Sequence, residues 1–177
     1  MKRFPVFFIS LFIISCTSNS GKTETGIAVS DSIKNSSGVS LIVLGTIQDA
    51  GSPQIGCTKD CCKDLFRNPD KNRMVVSLGI VDAANNKNYL IEATPDFTQQ
   101  AKSLKNHSPF SSNEIPDGIF LTHAHIGHYS GLMYLGKEAM NADSVPVYAM
   151  PRMKSFLEQN GPWSQLVKHK NIVLQEM

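Results

Sequence analysis

Apolar residues fall along this chain in one nearly unbroken N-terminal run, and then in short blocks separated by polar, Gly- and Pro-bearing stretches. The run follows Met1-Lys2-Arg3, extends from Phe4 to Ser15 and stops at Cys16. A basic start followed by about a dozen apolar residues is the layout of a secretory signal; a spanning helix needs roughly 20. Residues 16–38 are rich in Ser, Thr, Gly, Asn and Lys and bury too little apolar surface to offset their ordering entropy. They predict a flexible tether, with globular sequence over 39–177.

Within that globular part, the block at 40–45 (Leu41-Ile42-Val43-Leu44) predicts a buried strand, and 46–56 a loop carrying Gly51, Pro53 and Gly56. Residues 75–82 and 88–93 predict two strands joined at Asn85-Asn86 as a hairpin. A helix is expected over 96–104 with Asp96 at its start, and a strand over 118–122. The spacing of Leu132, Leu135 and Met140 predicts a helix over 129–140. A strand at 145–149, a helix at 151–159 opened by Pro151, and a strand at 171–175 complete the series. A strand meander followed by alternation with helices makes the class α+β.

Composition changes this picture little. The 177 residues include 17 Lys and Arg against 15 Asp and Glu, a formal charge of +2. That balance excludes a basic nucleic-acid binder and a strongly charged disordered tail. Removal of residues 1–15 would take Lys2 and Arg3 with it, leaving 15 basic against 15 acidic side chains. Ile13-Ile14-Ser15-Cys16 resembles a bacterial lipobox, in which Cys16 is lipidated and becomes the mature N-terminus. An ordinary signal peptide that happens to contain a cysteine is the alternative. The lipobox implies export and a lipid anchor, and the lack of Asp after Cys16 implies the outer membrane, facing the periplasm.

The chemistry concentrates in Thr122-His123-Ala124-His125-Ile126-Gly127-His128, directly after a predicted strand. In extended backbone His123 and His125 point to one side, and a turn after them lets His128 swing to the same place. Imidazoles converging at a strand end suit a divalent metal such as zinc.

The segment from Ile119 to Gly131 resembles the His-x-His-x-Asp-His signature of the metallo-β-lactamase superfamily. Leu44-Gly45-Thr46 and Leu90-Ile91-Glu92-Ala93 agree with it, and residues 45–62 resemble the pyrroloquinoline quinone biosynthesis protein B group and its phosphodiesterase relatives. The resemblance implies a four-layer αββα sandwich, of which this chain would supply about the N-terminal half. It also implies one metal on His123 and His125, and a second on His128. Gly127 stands where the signature has Asp, so either one firm metal, zinc or iron, or an altered pair is expected. On the sequence alone, Gly127→Asp should raise occupancy of the second site. Glu92 would support the pocket from behind the ligands; its alternative is a surface carboxylate on a strand. Asp49 could face the pocket, but a loop Asp more often caps its own backbone.

Cys57, Cys61 and Cys62 form a second cluster. By the same resemblance they would hold a structural zinc, although Lys59 occupies the middle position of the usual pattern. A fourth ligand must come from elsewhere, with His169 the only late candidate. A disulfide is the competing reading in an exported protein. His107 reads as a loop residue and Trp163 as a core or lid anchor.

The resemblance implies a metal-dependent hydrolase acting through a metal-activated water, with small phosphodiester-type molecules as its substrates. The alternatives are a quinone-cofactor enzyme with oxidative chemistry and a non-catalytic metal-binding lipoprotein. The partners expected are a membrane, through the N-terminal lipid, and a missing C-terminal half. That half would bring further His and Asp ligands, so a truncated chain inactive by itself is expected.

Overall fold

The computed structural model describes residues 38–177. The N-terminal signal, Cys16 and all but the last residue of the expected tether lie outside the described residues. Within them six strands form one sheet: β1 (Val39–Gly45), β2 (Ser77–Asp82), β3 (Lys87–Ile91), β4 (Gly118–Leu121), β5 (Val145–Ala149) and β6 (Ile172–Glu176). They lie side by side in chain order. The first three are antiparallel and the last three join in parallel, so the sheet changes character at the β3–β4 pairing. The expected hairpin is present, with Asp82 opposite Lys87 and the Asp82 carboxylate accepting the Asn85 N–H across the turn.

Three helices make the second layer: α1 (Phe97–Asn106), α2 (Pro151–Gln159) and α3 (Trp163–Lys168). Helix α1 turns Phe97, Ala101 and Leu104 inward at spacings of four and three, as an amphipathic helix must. Its start is tied to the sheet, because the Asp96 carboxylate accepts the Val75 N–H at 2.7 Å. Gln100 on the same face is fully buried and fully used: it accepts from the Thr94 hydroxyl and donates to the Val75 carbonyl. Met153 and Leu157 of α2 and Leu166 of α3 close the core over Val145, Val147 and Ile172. One helix layer on one mixed sheet is the α+β arrangement expected.

Two expectations need correction. The block over 129–140 is not an α-helix but one 3-10 segment, Ser130–Leu135, followed by turns, with another 3-10 turn just before it at Ile126–His128. Its path is dictated by Gly131, whose N–H donates to the Ala93 carbonyl at 2.8 Å rather than to the preceding helical turn. Leu132 and Leu135 still reach the core, while Met140 is exposed. Secondly, β1 is not buried on both sides: Leu44 is enclosed, but Val39, Leu41 and Val43 are 68%, 62% and 64% exposed. A branched run cannot distinguish a central strand from an edge strand with one covered face. Helix α3 has no counterpart in the sequence expectations, because six residues hold too few turns to show a period.

The sheet face away from the helices is apolar across its width. Leu41 lies opposite Ile80, Ile80 opposite Tyr89, and Ile91 opposite Phe120. Phe120 stacks on Tyr148 at 4.6 Å and meets Tyr89 edge-on at 5.8 Å.

Gly131 sits where the chain after β4 presses on the end of β3; a Cβ there would lie 2.1 Å from the Thr94 carbonyl oxygen. Backbone cannot yield as a flexible side chain does. Gly131→Ala is therefore expected to lower the unfolding free energy by about 1–3 kcal/mol, measured by urea denaturation.

Candidate metal centre

The histidine segment leaves the sheet at the end of β4, beside the end of β3. These two ends are laced by backbone. The Glu92 N–H donates to the Phe120 carbonyl at 2.8 Å, and the Ala93 N–H to the His128 carbonyl at 2.9 Å. Glu92 itself has φ +75°, the left-handed region that an L side chain rarely adopts. Such a conformation costs of order 1–3 kcal/mol and persists only where its surroundings enforce it. Here it aims the carboxylate inward, toward the turn after β4.

Glu92 is buried, so it is not a surface carboxylate on a strand. Its Oε1 accepts the Thr122 N–H at 3.1 Å and a short hydrogen bond from the Thr122 hydroxyl. With its proton given to Glu92, that hydroxyl accepts from Nδ1 of His123 at 2.8 Å. Oε2 of Glu92 faces Nδ1 of His128 at 3.5 Å. Both atoms are buried and neither makes a hydrogen bond, to the other or elsewhere among the described residues. One carboxylate thus lies behind two histidines, linked to Nδ1 of His123 through Thr122 and facing Nδ1 of His128 without a hydrogen bond. The Nε2 atom of each is left free to bind a ligand, the arrangement in which metal-bound imidazoles are commonly held.

The three rings converge. His123 lies 4.7 Å from His125 and 4.2 Å from His128, centre to centre, whereas His125 and His128 are 6.5 Å apart. Ligand atoms of Glu92, His123 and His128 all fall within 4.8 Å of one another, close enough for one ion. His125 stands at the outer edge, largely exposed, with Nδ1 3.9 Å from Oδ2 of Asp49. With Glu92 on the Nδ1 side, the donors left to an ion are imidazole nitrogens, which fit zinc or another borderline divalent metal.

One contribution escaped the sequence reading. Thr122 looked like the last residue of a strand, yet its hydroxyl carries the link from Glu92 to His123. Asp49 does not cap its own loop. Gln48 performs that task, accepting the Ala50 N–H and donating to the Gly51 carbonyl. Gly127 is also better understood: a Cβ there would lie 2.5 Å from the Asp49 Cβ and 2.6 Å from its carbonyl oxygen. The site has no room for a side chain at 127, so Gly127→Asp would displace the loop rather than supply a ligand.

The three thiols also gather, with Cys57, Cys61 and Cys62 ligand atoms within 4.8 Å of one another. All three are unbridged, and Cys61 and Cys62 Sγ are 3.8 Å apart. They line a cleft of about 570 Å³ with Lys59 and Arg73, and Arg73 ties its walls by donating to Ser52 and to the Cys61 carbonyl. His169, exposed at the end of α3, is not in this group. His107 caps α1 and its Nδ1 lies 2.9 Å from the Ser103 carbonyl, while Trp163 packs on Tyr129 and Phe156.

Known proteins show the same architecture. Zn(2+)-bound PqqB from Methylobacterium extorquens superposes with a TM-score of 0.60 at 20% identity, over 77% of this chain and 48% of that one. A diphosphatase from the PhnP family does so with a TM-score of 0.56 at 24% identity, over 78% and 50%. At these identities the likeness is one of fold, and the chain spans about half the length of each. An octanoyltransferase of Porphyromonas gingivalis (strain ATCC BAA-308 / W83) is 36% identical over 91 residues, which are 51% of this chain and 16% of that protein. The family model described as a beta-lactamase superfamily domain matches residues 87–177, from the start of β3 through the histidine segment and over half of the chain. The chain belongs to the beta-lactamase superfamily.

Proposed function

We propose that this chain carries the metal-binding part of a metal-dependent hydrolase that acts on phosphodiester-type substrates. The observation that carries the reading is the facing of Glu92 Oε2 and His128 Nδ1, both buried and neither hydrogen-bonded, behind three convergent imidazoles. Burying such groups is costly unless something at the far side of the ring repays it. A divalent metal held there would supply Lewis acidity toward a scissile phosphoryl oxygen and a nucleophilic water at neutral pH. The residues of this chain do the rest. Glu92 faces His128 and, through Thr122, holds His123, so that both present Nε2, and Gly127 leaves the mouth of the site open to the loop after β1. The resemblance of residues 45–62 to phosphodiesterase relatives favours phosphoryl chemistry over acyl transfer.

The same reading includes three further parts. A structural zinc at Cys57, Cys61 and Cys62 would fasten the long β1–β2 connection. A second half of the sandwich would cover the apolar outer face of the sheet and complete the ligand set. Cys16 would carry the lipid that anchors the exported protein, at the outer membrane facing the periplasm. Among the described residues no helix is long and apolar enough to cross a membrane.

Zinc added to the metal-free chain should bind at the histidines and be removed by a chelator, together with any hydrolysis of a chromogenic phosphodiester. Zinc bound at the thiols alone would overturn the reading in favour of a non-catalytic lipoprotein. Iron with oxygen-dependent turnover would favour oxidative chemistry of the quinone-cofactor kind. Rapid hydrolysis by this chain alone would show that no second half is needed. Glu92→Gln should weaken zinc binding by about 10–100-fold, read by competition with a zinc-sensitive dye. Labelling of the protein in cells with a fatty-acid analogue is expected, and Cys16→Ser should abolish it.

A further inference from the structure

We infer that Asp49, reaching in from the loop after β1, is a metal ligand that supplies the carboxylate which position 127 lacks. The inference rests on the metal-centre reading above and assigns to it a residue outside the histidine segment. Three observations carry it.

The first is steric. The space a side chain at 127 would occupy is filled by Asp49, whose Cβ, carbonyl oxygen and Cα lie 2.5, 2.6 and 3.0 Å from the position of a Cβ on Gly127. Loop and histidine segment are therefore in backbone contact at the one position where the signature carries its acid. Glycine at 127 is what lets Asp49 approach.

The second is chemical. Neutral imidazoles do not offset the charge of a divalent cation, and a carboxylate in the set does. Glu92 is already engaged, with Oε1 on Thr122 and Oε2 facing His128. The Asp49 carboxylate accepts no hydrogen bond among the described residues, because Gln48 has taken over the local turn.

The third is geometric. Oδ2 of Asp49 lies 3.9 Å from Nδ1 of His125, beyond hydrogen-bond reach. Ligand atoms around a tetrahedral zinc sit roughly 3.4 Å apart, given bonds near 2.0–2.1 Å. A small rotation of either side chain would bring the two atoms to that separation. The Asp49 side chain is 38% exposed and that of His125 75%, so both are free to make it.

The test is a zinc titration of the 177-residue chain followed through the ring resonances of its five histidines. His107 and His169, outside the cluster, serve as internal references. In the parent chain the resonances of His123, His125 and His128 should shift with zinc and those of the references should not. Asp49→Asn keeps the shape and removes the charge. It should weaken zinc binding by about tenfold or more, with the His125 shift reduced most and the urea midpoint unchanged. Glu158→Gln, which removes an exposed acid from α2, should leave zinc affinity as it was. Unchanged affinity in Asp49→Asn, or equal losses in both variants, overturns the assignment while the metal centre stands. Absence of any shift at the three clustered histidines in the parent chain overturns the metal centre, and this assignment with it.

Discussion

A single buried carboxylate organises this protein's functional end. Glu92 joins β3 to β4 through Thr122, faces His128, and is held in a left-handed backbone conformation that only a tightly determined environment sustains. The backbone bonds on either side of it, to Phe120 and from Ala93 to His128, bring the strand ends together. The fold itself thus contributes to arranging the imidazoles. Such preorganisation removes ordering cost from the moment of binding.

Around this carboxylate the rest of the molecule falls into place. The core beneath the site is made by α1 and the 3-10 segment at Ser130–Leu135, packed on the buried sides of β2 to β5. The close contact of Gly131 with Thr94 fixes how far the histidine turn can lift from the sheet. From the opposite side comes the connection between β1 and β2, which bears both Asp49 and the three thiols. A metal at the cysteines would stiffen the segment that delivers Asp49, so occupancy there and affinity at the histidines would be coupled through one loop.

Much of this could be seen in the chain itself. Short branched blocks bounded by Gly, Pro and Asn marked the strands, because such blocks have few alternatives; six strands lie where the pattern placed them, within two residues at most boundaries. The histidine spacing located the site, since alternation along an extended strand leaves two rings on one side. Other features were illegible for stated reasons. Leu132 and Leu135 repeat as a helix would, but the hydrogen bond from Gly131 to Ala93 is long-range and overrides local periodicity. The outward face of β1 reads like an inward one. Thr122 has no spacing that announces a relay, and Asp49 lies 78 positions before Gly127, so their contact exists only in three dimensions.

That last contact bears on how such sites change over generations. Positions 49 and 127 share one volume, occupied by backbone and Cβ of the first and closed to any side chain of the second. An acid gained at 127 meets the loop, whereas one lost at 49 leaves backbone and Cβ in the same volume. An acid can enter position 127 only through a rearranged loop. A search that recognises this site by an Asp inside the histidine motif therefore looks for the acid on the wrong segment.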